Sequence, residues 1–360
     1  MFLIFAALAS FLVVASVLPF LPFAHGIVRV GDFPRQQFLA LAAALLVASV
    51  FLDGEETGWR VVQMALAAVI AIQTPHILRF TPVWRKQTAD AQPGEEGERI
   101  RLVSSNVKMS NTRYRELAEE IAACDPDIVV LMEVDDQWRD GVADLLARYE
   151  HVANATRDNS YGMIVASRFP FETFEIDELL TEGVPSVIAT IRTPKGKAFR
   201  AYFIHPEPPV LHRGTEGRDG ETALVALKVK DEKLPVMVTG DLNDVAWSVT
   251  TERFRKISGL LDPRIGRRIF STFDARFPFL RWPLDHLFHS PEFRLIRMKR
   301  LRPCGSDHFP VFFELLFCRT EKSESEPQSA DQDDIAEARE VVEEARERDE
   351  EAIGTDWEKK

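Results

Sequence analysis

Cysteine is nearly missing. The 360 residues contain three, Cys124, Cys304 and Cys318. No two have metal-site spacing, and an odd number supplies no disulfide framework, so neither a thiolate zinc site nor a cross-linked scaffold organises this chain. They leave the redox compartment open. No Lys or Arg precedes His25, so the apolar N-terminus lacks the basic region of a cleaved secretion signal. No serine sits in a nucleophile elbow. There is no RNA-binding signature, no run of stacking aromatics and no internal repeat. Arg85 and Lys86 are too few for a polybasic lipid-binding cluster.

Charge is present but unevenly spread. The net charge is −12, yet residues 1–99 carry 7 Lys+Arg against 8 Asp+Glu, residues 100–318 carry 30 against 32, and residues 319–360 carry 7 against 16. The last segment supplies −9 of the total. The acidic balance therefore says nothing against a phosphate-rich partner for the nearly neutral middle.

Three runs hold no charged residue at all: Met1–Ala24, Gln36–Leu52 and Val61–Leu78. A bilayer core needs about 20 apolar residues in a helix, with a lower limit of about 17. Three transmembrane helices are expected, near residues 2–24, 36–52 and 61–78, making the chain a multi-pass membrane protein. Arg29 and Arg35 lie in the first connection. Arg60 shares the second with Asp53, Glu55 and Glu56, and Arg79, Arg85 and Lys86 follow the third run. The positive-inside rule then favours a cytoplasmic first loop, a cytoplasmic C-terminal domain and an outside N-terminus.

Residues 81–99 read as a linker, polar and broken by Pro93, Gly94 and Gly97. A domain follows over residues 100–318. Arg101–Asn106, Ile128–Met132, Met163–Ser167, Val187–Ile191, Phe199–His205, Val236–Thr239, His286–Phe288 and Phe309–Leu316 read as strands. Tyr114–Ala123 and Thr222–Val229 read as helices, the first with Asn111 or Thr112 as a possible cap. Strands outnumber helices without strict alternation, which points to a layered α/β domain. Residues 319–360 form an acidic tail, disordered or helical. Its expected state is a solvated appendage, although Asp334–Ile353 can place Ile335, Ala338, Val342 and Ala345 on one helical stripe. No protein partner is expected.

The informative feature is where polar residues fall. Asn106 ends the first strand and Glu133 follows the second. His205 ends another, and Asp241 and Asn243 follow Val236–Thr239. Asp285 and His286 open a strand, and Asp307 and His308 precede the last. Singly each has an ordinary reading as a turn or strand-end residue. Six such placements in one domain suggest convergence on a cleft. The set offers hard oxygen ligands for Mg²⁺, Mn²⁺ or Ca²⁺, together with imidazoles that can move protons or bind phosphate. Hydrolysis of a phosphodiester by water needs charge neutralisation, an aligned water, a base and relief of charge on the leaving oxygen. Carboxylates, a divalent ion and histidine can meet those needs.

The ordered segments Ser104–Val107, Leu131–Val134, Tyr161–Pro170, Phe203–Pro209, Gly240–Asp244, Pro283–Phe288 and Ser306–Leu315 resemble the endonuclease/exonuclease/phosphatase superfamily. That superfamily includes deoxyribonuclease I-like nucleases, abasic-site endonucleases, inositol polyphosphate 5-phosphatases and neutral sphingomyelinases. The three apolar helices resemble a bacterial branch with membrane segments ahead of the catalytic domain, which implies the inner membrane. The resemblance implies two mixed β-sheets packed as a sandwich with flanking helices. It implies Glu133, Asn106 and Asp307 as metal ligands, and Asp241 as the group that orients or deprotonates water. Asn243 would contact the phosphate. His308, held by Asp285, would bond the scissile phosphate, and His205 would be a second active-site histidine. Tyr161 receives no role, and the segment His205–Pro209 departs from the nuclease pattern.

Between Arg264 and Arg302 stand ten Lys or Arg against three acids. They are either a basic approach to a phosphate-rich substrate or an ordinary solvated strand face. Nucleic acid and a phospholipid or sugar phosphate both remain open as substrates. The expected activity is metal-assisted phosphodiester hydrolysis of the nuclease type. The alternatives are a phospholipid or inositol-phosphate phosphatase or phosphodiesterase, and a catalytically inactive membrane scaffold.

Overall fold

Ile128–Met132 is apolar at every position, and such a run is stable as a strand only if both faces are covered. The computed structural model, which describes residues 1–21, 23–52, 57–318 and 329–357, covers both. The apolar N-terminal helices are α1 (Phe2–Val17), α2 (Gly26–Arg29), α3 (Arg35–Phe51) and α4 (Thr57–Leu78). The domain then runs β1 (Glu98–Asn106), α5 (Tyr114–Ala122), β2 (Ile128–Met132), α6 (Asp136–Gly141), α7 (Ala143–Leu146), β3 (His151–Ala155), β4 (Met163–Ser167), β5 (Phe171–Asp177), β6 (Ser186–Arg192) and β7 (Ala198–Phe203). It continues with α8 (Glu216–Lys230), β8 (Val236–Asp241), α9 (Val249–Ser258), β9 (Asp285–His289), β10 (Phe293–Arg300), β11 (Val311–Phe317) and α10 (Gln332–Arg346).

Two mixed sheets form a sandwich. One has six strands in the order β10-β11-β1-β2-β4-β3, the other five in the order β5-β6-β7-β8-β9. Between them lies a dry core that includes Leu102, Val130, Met132 and Phe313 from the first sheet and Val187, Phe199, Phe203 and Met237 from the second. Leu117, Ile121 and Trp138 of α5 and α6 cover the outside of the first sheet. Val225, Val229 and Phe254 of α8 and α9 cover the second. Side chains of this size stabilise by roughly 1.5–3 kcal/mol each when buried.

The topology concentrates strand ends at one rim. β1 and β2 run parallel with Asn106 beside Met132. β7 and β8 run parallel. β9 starts where β8 stops, with Asp241 opposite Asp285. β11 is antiparallel to β1, so the residues just before Val311 lie beside Asn106.

Several elements differ from the sequence reading. The sequence reading lacks β3, β5, β10, α6, α7 and α9. α9 is mostly polar, and its signals were its ends: Ser248 Oγ accepts from Thr251 N at 2.9 Å, and Gly259 closes the helix in the left-handed region. α5 has no side-chain cap. Asn111 instead donates to the carbonyls of Val107 and Cys304 at 3.0 and 2.9 Å, stitching loop to loop.

Among the described helices, Phe2–Phe20 and Thr57–Leu78 are long and apolar enough to cross a membrane, and the bent pair Gly26–Asp32 with Arg35–Phe51 would make a third. They share a core of Phe5, Leu12, Phe38, Trp59 and Leu66. A buried polar chain links these helices: Arg35 donates to Asp32 and Gln73, and Gln73 donates to Ser16. The bundle touches the loops that carry the strand-end rim. Gly26 N donates to Arg213 O at 2.9 Å, Trp247 Nε1 donates to Asp32 O at 2.7 Å, and Gln37 Nε2 donates to Phe279 O at 3.1 Å.

Candidate active site

The rim gathers the eight residues to which the resemblance gives roles; of the nine strand-end residues only His286 lies elsewhere. Two local devices make this possible. Gly240 precedes Asp241, and a β-carbon there would fall 1.8 Å from the carbonyl oxygen of Ile204, so only glycine lets β8 pass the end of β7. Ser306 ties the last strand to the first. Its hydroxyl donates to Asn106 O at 2.9 Å and accepts from His308 N at 3.0 Å. Glu133 and Asn243 both adopt positive φ, 60° and 51°, which turns each side chain off its strand and onto the rim.

The site has two halves. In one, His308 Nδ1 lies 2.9 Å from Asp285 Oδ2, and its Nε2 lies 3.3 Å from Asp241 Oδ2. His205 Nε2 stands 3.9 Å from the same Asp241 oxygen. Burial by itself would strip the proton from His308, but the carboxylates of Asp241 and Asp285, with Asp307 behind them, outweigh it and hold the imidazole up at about 10. Burial dominates at His205, aided by the His308 cation and opposed by Asp241, and pushes it down to about 4. At neutral pH the two histidines therefore differ: His308 is a cation and His205 is neutral. Burial also raises Asp241, with Asp285 adding to the effect and His308 opposing it.

In the other half, Asn106 Nδ2 donates to Glu133 Oε1 at 2.6 Å and to Asp241 Oδ2 at 3.0 Å, while its Oδ1 accepts from Lys108 N at 3.0 Å. Burial raises Glu133 to about 7; Asp307 and Asp241 add to this, and Asn106 and His308 work against it. Lys108 Nζ lies 2.9 Å from Asp307 Oδ2.

These donors fit a divalent cation. Glu133 and Asp307 are hard oxygen donors that line one cleft, and negative charge is disfavoured at Glu133. Asp241, Asp285 and His308 also lie within ligand distance of one another. The ring nitrogens of His308, however, already face the two carboxylates, so a cation bound through that ring would break a contact. Asn106 turns its nitrogen toward Glu133 and its oxygen toward a backbone N–H. A ligand role through its oxygen, as the resemblance implies, would require the amide to turn over.

Asn243 N donates to Asp241 Oδ1 and its side-chain amide donates to Pro206 O, both at 2.9 Å, so the residue fixes Asp241 as well as lining the cleft. Among the described residues, Asp285 Oδ1 and His205 Nδ1 are buried without a hydrogen-bond partner. His286 takes no part. Its ring faces Arg264 and the Asp244 carbonyl on the far side of β9.

The arginine-rich stretch is largely structural. Arg264 pairs with Asp262, Arg267 with Asp90, Arg294 with Glu95, Arg297 with Glu314 and Arg302 with Glu120. Much of it forms β10, the edge of the first sheet. Arg276 alone of the ten comes within ion-pair distance of a site carboxylate, 3.6 Å from Asp307.

Some cleft residues carried no sequence signal. Lys108, Ser160, Pro208 and Phe273 line it, with Tyr161 and the C-terminal Ile353, Gly354 and Trp357. The Phe273 ring lies 4.8 Å from His308 and shields it.

No curated protein matches the chain. Crystal structures do. TDP2 of D. rerio, complexed with a single strand DNA product, is 18% identical with a TM-score of 0.51, covering 61% of this chain and 99% of that one. An endonuclease/exonuclease/phosphatase family protein from Bacteroides thetaiotaomicron is 20% identical with a TM-score of 0.52, covering 62% and 100%. A mannosyl-6-phosphatase from the same species is 21% identical with a TM-score of 0.50, covering 61% and 100%. At such identities the likeness bears on the fold. Membership rests on the sequence itself: residues 103–308 match the Endonuclease/Exonuclease/phosphatase family, and the chain belongs to it.

Proposed function

We propose that this chain is a membrane-anchored, divalent-metal-dependent phosphoesterase that acts at the membrane surface. The observation that carries the chemistry is the Asp285–His308–Asp241 row together with the carboxylates of Glu133 and Asp307, which line the same cleft. Glu133 and Asp307 would hold the cation, which when bound neutralises phosphate charge and the charge on the leaving oxygen. Mg²⁺ and Mn²⁺ both suit oxygen donors of this kind.

The other roles belong to the chain. Asp241 is raised by burial and positioned by Asn243 N and Asn106 Nδ2, so it can orient a water and accept its proton. His308 remains a cation at working pH and can donate to a phosphoryl oxygen, with Asp285 fixing its ring. Neutral His205 can donate or accept through Nε2. Asn243 supplies an amide to the phosphate. The test is hydrolysis of bis-p-nitrophenyl phosphate with Mg²⁺ or Mn²⁺ by residues 1–360 in detergent. Full activity in Glu133→Gln would sink the assignment.

One observation favours a phospholipid headgroup over nucleic acid. The loops after β7 and β8 and before β9 carry His205, Asn243 and Phe273, and those same loops touch the apolar bundle. Beside them Phe277, Phe279 and Leu280 stand 53%, 88% and 49% exposed. A rim that contacts the anchoring helices and carries bare aromatics suits a substrate presented by the bilayer. In proteoliposomes, phospholipid embedded in the vesicle should be cleaved in preference to added DNA, and Phe279→Asp should lower the vesicle rate several-fold without affecting bis-p-nitrophenyl phosphate. Efficient DNA cleavage with inert lipid would reverse the substrate assignment. The loop charges favour a cytoplasmic domain in a multi-pass protein. A strongly active alkaline phosphatase fusion after Phe317 would overturn that orientation.

A further inference from the structure

The acidic C-terminal segment was expected to be a solvated appendage. Its helix instead lies on α8, with Ala338 and Val342 in the same apolar cluster as Val225 and Phe254. Lys256 pairs with Asp334 at 2.7 Å along one flank. Beyond α10 the chain turns back across the domain and reaches the catalytic cleft.

The anchor is Glu207, 1% exposed and two residues after His205. Arg348 grips both its oxygens at 2.6 and 2.7 Å, and Ile353 N adds a third donor at 2.7 Å. Tyr161 donates its hydroxyl to Ile353 O, and its ring lies 5.4 Å from that of His205. Ala352 packs with Tyr161 and Val184. Gly354 adopts φ +88° and turns the chain so that Trp357 folds back toward the cleft. Ile353, Gly354 and Trp357 then line the same cavity, about 210 Å³, as Glu133, Asp241 and His308.

α8 is shaped for this contact. A glycine inside a helix costs about 1 kcal/mol relative to alanine, yet α8 has Gly217 and Gly220 in its first two turns. A β-carbon on Gly217 would fall 1.6 Å from Glu207 Oε2 and 2.4 Å from Arg348 Nη1. A β-carbon on Gly220 would fall 2.4 Å from the Ala345 side chain. Both glycines make room for the C-terminal segment. The anchor itself, Glu207, lies in His205–Pro209, the segment that departs from the nuclease pattern.

We infer that residues 347–357 are an intramolecular wall on the His205 side of the cleft that selects substrates by size. The wall admits a phosphoester that is small on that side and turns away one whose polymer backbone must continue past His205. This inference rests on the phosphoesterase reading. It differs from autoinhibition, in which removing the segment would speed every substrate alike.

The experiment compares the full chain with Arg348→Ala and with a chain ending after Arg346, which keeps α10. Three quantities are measured: hydrolysis of bis-p-nitrophenyl phosphate, hydrolysis of a 20-nucleotide single-stranded oligonucleotide, and equilibrium binding of that oligonucleotide by fluorescence anisotropy. Both variants should bind and cleave the oligonucleotide at least about tenfold better while the small substrate changes less than about threefold, the ratio expected when 1.4 kcal/mol of exclusion is lifted. Unchanged oligonucleotide binding, or an equal rise for both substrates, would overturn the wall. If no form of the protein cleaves either compound, the phosphoesterase reading falls, and the anisotropy measurement still decides whether the segment bars the cleft.

Discussion

The two halves of the site solve the problem of buried charge in opposite ways. The Asp241–Asp285–His308 half is self-sufficient: an imidazolium sits between two carboxylates, and each justifies the charge of the other. In the other half Asp307 has Lys108 Nζ at 2.9 Å, whereas Glu133 faces an amide. Burial and neighbouring acids push Glu133 to about 7, and Asn106 offers it only a neutral amide. A fold that places a carboxylate where negative charge is disfavoured has left room for a cation from outside. Polarity alone does not mark a metal site; the carboxyl that burial holds toward its neutral form, Glu133, is the one a cation would relieve.

The sharpest way to break this comparison is to remove one residue from each half. His308→Ala and Glu133→Gln should each reduce kcat/KM by about 10³-fold, within the range for a positioned acid–base group or charge stabiliser. The cause should differ. Metal titrated by calorimetry should bind His308→Ala nearly as well as the parent, whereas Glu133→Gln should lose at least tenfold in affinity. Equal metal affinities in the two variants would erase the distinction.

Asp285 gives a finer test within the self-sufficient half. It touches His308 and orients the ring, but it lies behind the imidazole as seen from Asp241. Asp285→Asn should cost about 10- to 100-fold in kcat. Because it removes a negative charge and a charge-assisted hydrogen bond, it should also lower the pH at which His308 loses its proton, moving the alkaline limb of the rate profile down. A loss of rate with an unmoved alkaline limb would limit Asp285 to holding the fold.

Proton linkage sharpens the other half. Glu133 keeps its proton up to about 7, so a cation must displace that proton below this pH. Metal affinity should rise roughly tenfold per pH unit up to about 7 and flatten above it. A titration that is flat between pH 5 and 7 would show that Glu133 is not a ligand.

Much of this site was legible in the sequence because its residues fall at the ends of apolar strands, where periodicity marks both the strand and its stop. Asn106, Glu133, Asp241, Asp285 and His308 all have this placement, and the layered α/β class follows from the strands that carry them, while the two-sheet sandwich was implied by the family resemblance. Three other features were not legible. The direction in which the Asn106 amide points depends on Lys108 N and on two carboxylates from distant strands. The basic character of residues 264–302 dissolves into ion pairs with Asp90, Glu95, Glu120, Asp262 and Glu314, spread over more than two hundred positions. The C-terminal wall rests on the Arg348–Glu207 contact, 141 residues apart, which no local pattern encodes. Two helix-interior glycines were its local trace, and they gain meaning once their neighbours are known.

Glu221 offers the mildest test, because it is a buried acid outside the rim. It lies in α8, accepts from Ser186 Oγ at 3.0 Å, and is raised to about 8 by burial first, then by Glu207 and Asp177, with the serine opposing. Its folded pKa exceeds its unfolded value near 4.5, so its favourable contribution is complete below about 4.5 and is lost as pH rises through about 8. The parent should therefore lose on the order of 2 kcal/mol between pH 5 and 8.5, about 4–8 °C in Tm, and Glu221→Gln should remove that slope. Added Mg²⁺ should leave the Glu221 component unchanged, since the carboxylate does not face the cleft, while flattening any component from Glu133. If Mg²⁺ abolished the whole slope in the parent and Glu221→Gln changed nothing, the pH sensitivity would belong to the rim alone, and burial away from the cleft would not be what raises a carboxyl in this protein.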